Sequence, residues 1–317
     1  VILVASLTLA EAAKYSQNPL VQGVMKEFLT PDTFASQIPF IPLNGGKARF
    51  FNRELTDAKT TVGALDVAGT PVASQATVTQ ITHILGRLAG DAQVDNFESV
   101  TLSDINDQMD EAIAKKARGL GRLFRQYIIK GSGTFPQFEG IDSLVDSSNM
   151  WKAAGTTTAG AAITFALLDE TMDLVVQDGE KMFWAMDKTN MRKLKALYRA
   201  LGGIEPEKVE IGWIDPITGD ETGRKVMSYS GVPIFRNDNI TAESTYGKTG
   251  KYRVSFGILD EEAGLVGIMP RDNDPGVRLF PIGQKDALGE EAERLEMYVG
   301  LSLSSTKGLG QLVNVLN

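Results

Sequence analysis

The sequence has no cysteine and a single histidine, His83, among its 317 residues. The first absence removes disulfide frameworks, thiolate metal sites and cysteine nucleophiles together. The second removes any two-histidine metal motif within one subunit. Long apolar runs are missing too. The largely apolar opening Val1 to Leu9 lacks a basic start and falls far short of the roughly 20 residues that cross a bilayer as a helix. A buried arm or strand is therefore expected there, not a signal peptide or an anchor. Positive charge is in deficit: 32 Lys and Arg against 40 Asp and Glu give a net charge of -8, so the surface as a whole is not expected to grip nucleic acid. What is present is a globular composition, 43% apolar and 23% charged. That supports a substantial core and more than one small module.

The motifs that carry phosphate or metal chemistry are incomplete. The Gly-Lys pairs ending at Lys47, Lys248 and Lys251 lack the glycine that a phosphate loop places five residues earlier. Gly119-Leu-Gly121 and Gly308-Leu-Gly310 lack the third glycine of a dinucleotide fingerprint and are expected to be packing or turn glycines. Asp272-Asn-Asp274-Pro-Gly276 lacks the spacing and closing glutamate of a calcium loop. His83, between Thr82 and Ile84, reads as a structural histidine, because no nucleophile motif accompanies it. The acidic run Asp286, Glu290, Glu291, Glu293 and Glu296 offers paired carboxylates for hydrolysis, but a solvated, partly helical face explains it with fewer assumptions. No catalytic, cofactor-binding or metal site is expected, no cofactor is implied, and the chain does not read as an enzyme.

The chain's organisation is more informative. Residues 8 to 29 form a partly helical pattern broken at Pro19 and ended by Pro31, an arm of two short helices. Lys47 to Asn52 reads as a strand, and residues 76 to 89, rich in Thr and β-branched residues, read as its returning partner. Between them large apolar residues are sparse, so residues 47 to 90 are expected to form one long protruding hairpin. A helix is then expected over residues 102 to 130, capped by Thr101 and ended by Gly131, with Ile105, Met109, Ile113, Leu120, Phe124 and Tyr127 near one face. It would be a rod of roughly 43 Å. Acidic residues fill its first half and basic residues its second, complementing the helix dipole. The Ser/Thr/Ala/Gly-rich stretch Ser147 to Gly160 reads as a linker. After it come a helix through Phe165 and Met172, a buried strand Met182 to Met186, and a helix capped by Asp187 and ended by Gly202-Gly203. Strands follow at Val209 to Trp213, Lys225 to Tyr229, Val232 to Phe235, Tyr252 to Leu259, Leu265 to Met269, Val277 to Pro281 and Arg294 to Leu303. No internal repeat is present.

An arm, a long hairpin, a spine-length helix and a separate compact unit, with no catalytic cluster, describe a chain whose extensions lack a core of their own. Such pieces gain order by covering a neighbour, which is the logic of an obligate assembly. In this order of elements the chain resembles the major capsid proteins of tailed double-stranded DNA bacteriophages, whose fold is shared with encapsulins. The resemblance rests on Leu7-Thr-Leu-Ala-Glu-Ala-Ala-Lys14, Asp95-Asn-Phe-Glu98, the long helix, Phe138-Glu-Gly-Ile141, Met182-Phe-Trp-Ala-Met-Asp187 and Gly231-Val-Pro-Ile-Phe-Arg-Asn-Asp238.

The resemblance implies an α+β fold with an N-terminal arm (1–45), an extended β-hairpin loop (46–90), a peripheral domain with a long spine helix (91–161), an axial α/β domain (162–265) and a return to the peripheral domain (266–317). It also implies pentamers and hexamers closing an icosahedral shell around double-stranded DNA, in a virion assembled in the host cytoplasm. Scaffolding, portal and decoration proteins would be further partners, DNA would be held by weak non-specific proximity, and no membrane would be involved. Glycines such as Gly86, Gly90, Gly119 and Gly121 would let one sequence bend into several environments. Some relatives join the extended loop to a neighbour through an isopeptide bond. Lys59 is the only lysine between Arg53 and Gly90, but no motif marks a bonding partner, and no covalent linkage is expected. An encapsulin-type compartment holding cargo is the nearest alternative reading. A carboxylate-dependent hydrolase using Glu291 is the alternative from a different class.

Overall fold

The computed structural model describes residues 34–43, 46–54, 78–95, 108–155, 159–175, 181–202, 206–214, 221–240, 251–270, 278–285 and 290–316. The strands are β1 (Phe40–Leu43), β2 (Ala48–Glu54), β3 (Val78–Ile84), β4 (Gly86–Asp95), β5 (Met150–Lys152), β6 (Met182–Met186), β7 (Lys208–Ile214), β8 (Glu221–Tyr229), β9 (Val232–Arg236), β10 (Lys251–Ile258), β11 (Leu265–Pro270), β12 (Arg278–Lys285), β13 (Glu290–Leu303) and β14 (Leu309–Leu316). The helices are α1 (Gln108–Lys130), α2 (Ile141–Leu144), α3 (Phe165–Met172) and α4 (Lys188–Ala200). They build a seven-stranded sheet in the order β5-β14-β10-β6-β9-β8-β7, a five-stranded sheet in which β13 carries β11, β12 and β4, with β1 beyond β11, and a separate two-stranded ladder, β2-β3.

The long helix is organised by one apolar stripe. Ile113, Ala117, Leu120, Phe124 and Ile128 recur at helical spacing and are all buried. They share a core with Leu88 and Ala92 of β4 and with Leu295, Met297 and Val299 of β13. Each large member contributes about 1.5–3 kcal/mol on leaving water, so the helix is held as a strut across the five-stranded sheet. It ends where expected. Gly131 donates its N–H to the Tyr127 carbonyl at 2.9 Å, and a Cβ there would lie 2.1 Å from the Phe138 carbonyl oxygen. The expected start at Thr101, and Ile105 with it, lie outside the described residues. Gly119 has open space where a side chain would project, so no close packing contact requires it.

The second core belongs to the seven-stranded sheet. Trp184, Met186, Val254, Phe256, Leu312 and Val315 pack with Leu168 of α3 and Leu194 of α4. The Asp187 carboxylate accepts the Thr189 and Asn190 N–H groups, and Thr164 caps α3 through the Leu167 N–H. Both caps satisfy donors that a helix start leaves orphaned. Phe34, fully buried, ties the chain before β1 to this sheet, with its ring centroid 4.8 Å from that of Phe183 and 5.6 Å from that of Phe235.

Several sequence expectations give way to tertiary pairing. Residues 76 to 89, read as one returning strand, contain two strands: β3 pairs antiparallel with β2 from Ala48↔Ile84 to Glu54↔Val78, whereas β4 pairs with β13. The change of partner falls at Leu85. There the chain turns against the loop after α1 so closely that a Cβ on Gly86 would lie 2.9 Å from the Phe138 backbone nitrogen. That close approach gives Gly86 a packing reason to lack a side chain. The expected linker from Ser147 contains β5, which lies parallel to β14 with Met150 opposite Gln311. The acidic run is strand, not helix: Glu290 to Glu296 open β13, because the ladders to β4 and β12 continue to their ends.

Candidate assembly surface

Among the described residues the β2-β3 hairpin pairs with no further strand, and it is attached to the body at its base and on one face. At the base, Leu85 N–H bonds the Lys47 carbonyl at 2.8 Å. On the body-facing side, Arg49 reaches the Ser302 and Ser304 hydroxyls at 3.3 and 3.2 Å and the Glu261 carbonyl at 3.3 Å. His83 Nδ1 bonds the Glu139 carboxylate, and the imidazole, 6% exposed, packs beside Phe51. Its Nε2 makes no hydrogen bond among the described residues. A histidine that reads as structural in the sequence is thus the pin between the hairpin and the turn after α1.

The opposite face is bare. Strand alternation places Phe50 and Asn52 with Val78, Gln80 and Thr82 on that side. All five are exposed, Phe50 at 59% and Val78 at 58%. A second apolar stretch lies on β12, where Phe280 and Ile282 are exposed and the only strand alongside, among the described residues, is β13. Two separated apolar faces on strands are unusual on a subunit that stays alone.

Beside them runs an ionic ladder on the polar face of β4 and β13. Arg294 makes a two-armed pair with Asp91 at 2.7 and 3.0 Å. Glu296, 6% exposed, accepts from Arg87 and, at 2.8 Å, from the Tyr298 hydroxyl. Burial pushes the Glu296 carboxyl up, but the hydrogen bonds from Arg87 and Tyr298 and the charges of Arg87 and Arg294 outweigh it and hold the group below the ordinary carboxylate range. The same alternation turns Glu291 and Glu293 toward the opposite face from Glu296. Glu291 and Glu293 are therefore not clustered with Glu296, which is consumed by ion pairing. Among the described residues no group of three or more His, Asp or Glu side chains could hold a metal ion.

The remaining sequence candidates scatter. Trp184 is a core residue and Trp213 lies on β7, while Trp151, 40% exposed on β5, donates its indole N–H to Glu170 at 2.7 Å. Lys59 and Asp272 to Gly276 lie outside the described residues. Sequence reasoning missed a buried network in which Gln311 bonds Asp142 at 2.7 Å and Ser255 at 3.1 Å and accepts from Arg253 at 2.9 Å. It links β10 and β14 to α2, and no local motif announces it. No helix of the described residues is long and apolar enough to span a membrane.

Two sheets braced by a long helix, with a hairpin projecting from the junction, define the fold shared by tailed-phage major capsid proteins and encapsulins. Solved structures agree. The encapsulin of the holo-SrpI complex from Synechococcus elongatus PCC 7942 superposes with a TM-score of 0.67 at 16% identity, over 90% of this chain and 88% of that one. The capsid of cyanophage A-1(L) gives 0.63 at 12% identity, over 88% and 91%. The capsid of a native GTA particle gives 0.62 at 14% identity, over 89% and 90%. No family model and no curated protein matches the sequence.

Proposed function

We propose that this chain is the structural major capsid protein of a tailed double-stranded DNA phage, assembling through pentamers and hexamers into an icosahedral shell. The observation that carries the reading is the hairpin: a two-stranded ladder with Phe50 and Val78 bare on its outer face. An isolated hairpin of this kind is at best marginally stable in water, and a neighbouring copy lying over that face supplies the missing burial. The fold shared with shell proteins supports the same reading.

In this proposal residues 1–45 are the arm, 46–90 the extended loop, 91–161 and 266–317 the peripheral domain, and 162–265 the axial domain, with β5 and β14 completing the axial sheet from outside that range. Scaffolding, portal and decoration proteins would be its further partners in the host cytoplasm and the virion. No catalytic role is part of the proposal.

An encapsulin-type compartment is the second reading, favoured by the 0.67 TM-score to an encapsulin subunit. Electron microscopy of the purified full chain tests the common part: closed particles support it, and a solitary monomer at high concentration overturns it. Nuclease-protected DNA inside particles isolated from their source supports the capsid, whereas a protein cargo on the inner wall supports the compartment.

A further inference from the structure

Helix α4 stands out against the charge of the chain. The whole molecule carries -8, yet between Lys188 and Ala200 there are five basic residues and no acidic one, which leaves -13 on the remainder. Four of the five fall on one line. Lys188, Arg192, Lys195 and Arg199 recur at spacings of four, three and four, which brings them to a single face of an α-helix, and all four are exposed. The fifth, Lys193, lies off this line and donates to the Leu316 carbonyl at 2.7 Å. The opposite side is the anchored one, with Asn190 and Leu194 buried in the axial core.

The stripe is not explained by the helix itself. Lys188 and Arg192, and Lys195 and Arg199, are like-charge neighbours one turn apart, which destabilises a helix. Lys188 also places a cation in the first turn, against the helix dipole. Arg192, Lys195 and Arg199 make no ion pair among the described residues. Lys188 feels Asp238, but that carboxylate is already held by Arg236 at 2.7 Å. The four charges extend over about 16 Å of helix with no acidic residue interleaved, which is the complement of a continuous line of negative charge. One strand of duplex DNA carries a phosphate about every 3.4 Å of axis.

We propose that this face of α4 docks the phosphate backbone of double-stranded DNA, without reading its sequence. The proposal rests on the shell reading for the presence of DNA, and it revises the sequence-level expectation that DNA is only loosely near the protein. Net charge reports the average over the surface, whereas phosphate contacts are set by a local line of cations.

The test is fluorescence anisotropy of a labelled 30-base-pair duplex of scrambled sequence with the purified full chain, titrated between 50 and 200 mM potassium chloride. Four phosphate contacts add about -3.6 to the slope of log K against log salt. The affinity carried by the stripe should therefore fall roughly 150-fold over that range. Each single glutamine substitution, such as Arg192→Gln, should reduce the slope by about 0.9, and K188Q/R192Q/K195Q/R199Q should remove about 3.6 of it. Relief of like-charge repulsion predicts that the quadruple variant keeps or gains thermal stability, which separates lost binding from lost folding. Equal slopes for wild type and quadruple variant, or no binding by wild type, overturn the proposal. Changed particle formation at unchanged DNA affinity also overturns it, and assigns the stripe to carboxylates of another copy. Micrographs of the same wild-type preparation report on the shell independently: particles that do not bind DNA through α4 refute this inference alone.

Discussion

Replacing Phe50 and Val78 together by threonine isolates the role of the hairpin's outer face. Threonine keeps the β-branched preference for strand, and both side chains already face solvent in the subunit, at 59% and 58% exposure, so the change should leave the subunit's own stability within about 0.5 kcal/mol. Assembly should respond differently. Full burial of a Phe or Val side chain contributes about 1.5–3 kcal/mol, and a little over half of each surface remains to be covered, so the pair offers roughly 2–3 kcal/mol per contact between copies. At 1.4 kcal/mol per factor of ten, the concentration needed for assembly should rise roughly 30- to 150-fold. Sedimentation velocity over a dilution series reads that concentration, and thermal unfolding of the dissociated subunit reads the control. Assembly at an unchanged concentration would show that nothing covers this face. A large fall in subunit stability would show that the two side chains serve the monomer, and either result removes the basis for reading the hairpin as a bridge.

Further outcomes follow from the interior. Gly131→Ala forces a Cβ to 2.1 Å from the Phe138 carbonyl oxygen, so the turn after α1 must move, and denaturant melts should show a loss of about 1–3 kcal/mol. Phe34→Ala empties a fully buried site between Phe183 and Phe235 and should cost about 3–5 kcal/mol in the same assay. Glu296 is held below the ordinary carboxylate range; a group depressed in the folded state contributes stability above its unfolded value and loses it as pH falls through the folded one. Stability measured from about pH 6 to about pH 3 should therefore decline partly through Glu296, and Glu296→Gln should flatten that part of the curve; an unaltered slope in the variant would refute the assignment. Hydrogen exchange in dissociated subunits should find the β2 and β3 amides less protected than those of β10 and β14, and assembly should raise their protection; equal protection in the lone subunit would contradict a hairpin ordered by neighbours.

What the sequence made legible is what local physics decides. The α1 stripe through Ile113, Leu120 and Phe124, the Asp187 cap after an apolar strand, and the left-handed Gly202 (φ 108°) after α4 each follow from spacing or backbone chemistry within a few residues. The elements that escaped reading are those whose identity lies in a distant partner. β14 interleaves Gly310, Gln311 and Asn314 with its apolar residues and is buried at seven of its eight positions, so it shows neither alternation nor a plain apolar run. β5 is three residues long and is a strand only because β14 offers it an edge. The Leu85 junction looks like a continuing strand until Gly86 is seen against Phe138. The pairing of β2 with a returning strand was accessible from Thr-rich and β-branched composition. The hairpin's anchors, His83 to Glu139 and Arg49 to Ser302, join residues 56 and 253 positions apart, and nothing local pairs them.

The same geometry bears on the proposal that a neighbouring copy completes the hairpin's order. Fixing a residue's backbone costs about 1–2 kcal/mol, while a cross-strand hydrogen bond returns a net of about 0.5–1.5, so a ladder of seven-residue strands does not hold itself in place. On the body-facing side, His83 is buried but Phe51 and Ile81 are only half covered, so support weakens with distance from the base. On the outer face, Ala48 is buried and Ile84 half-buried at the base, and beyond them Phe50, Asn52, Val78, Gln80 and Thr82 are all exposed. An edge so bare is an aggregation hazard unless its partner is specified, and polar Asn52, Gln80 and Thr82 between Phe50 and Val78 limit the surfaces that can cover it without stranding their own polar groups. In the proposed shell, a hairpin marginal alone and selective in what completes it suits ordered closure, because a correctly docked neighbour would complete its burial and a misplaced one would not.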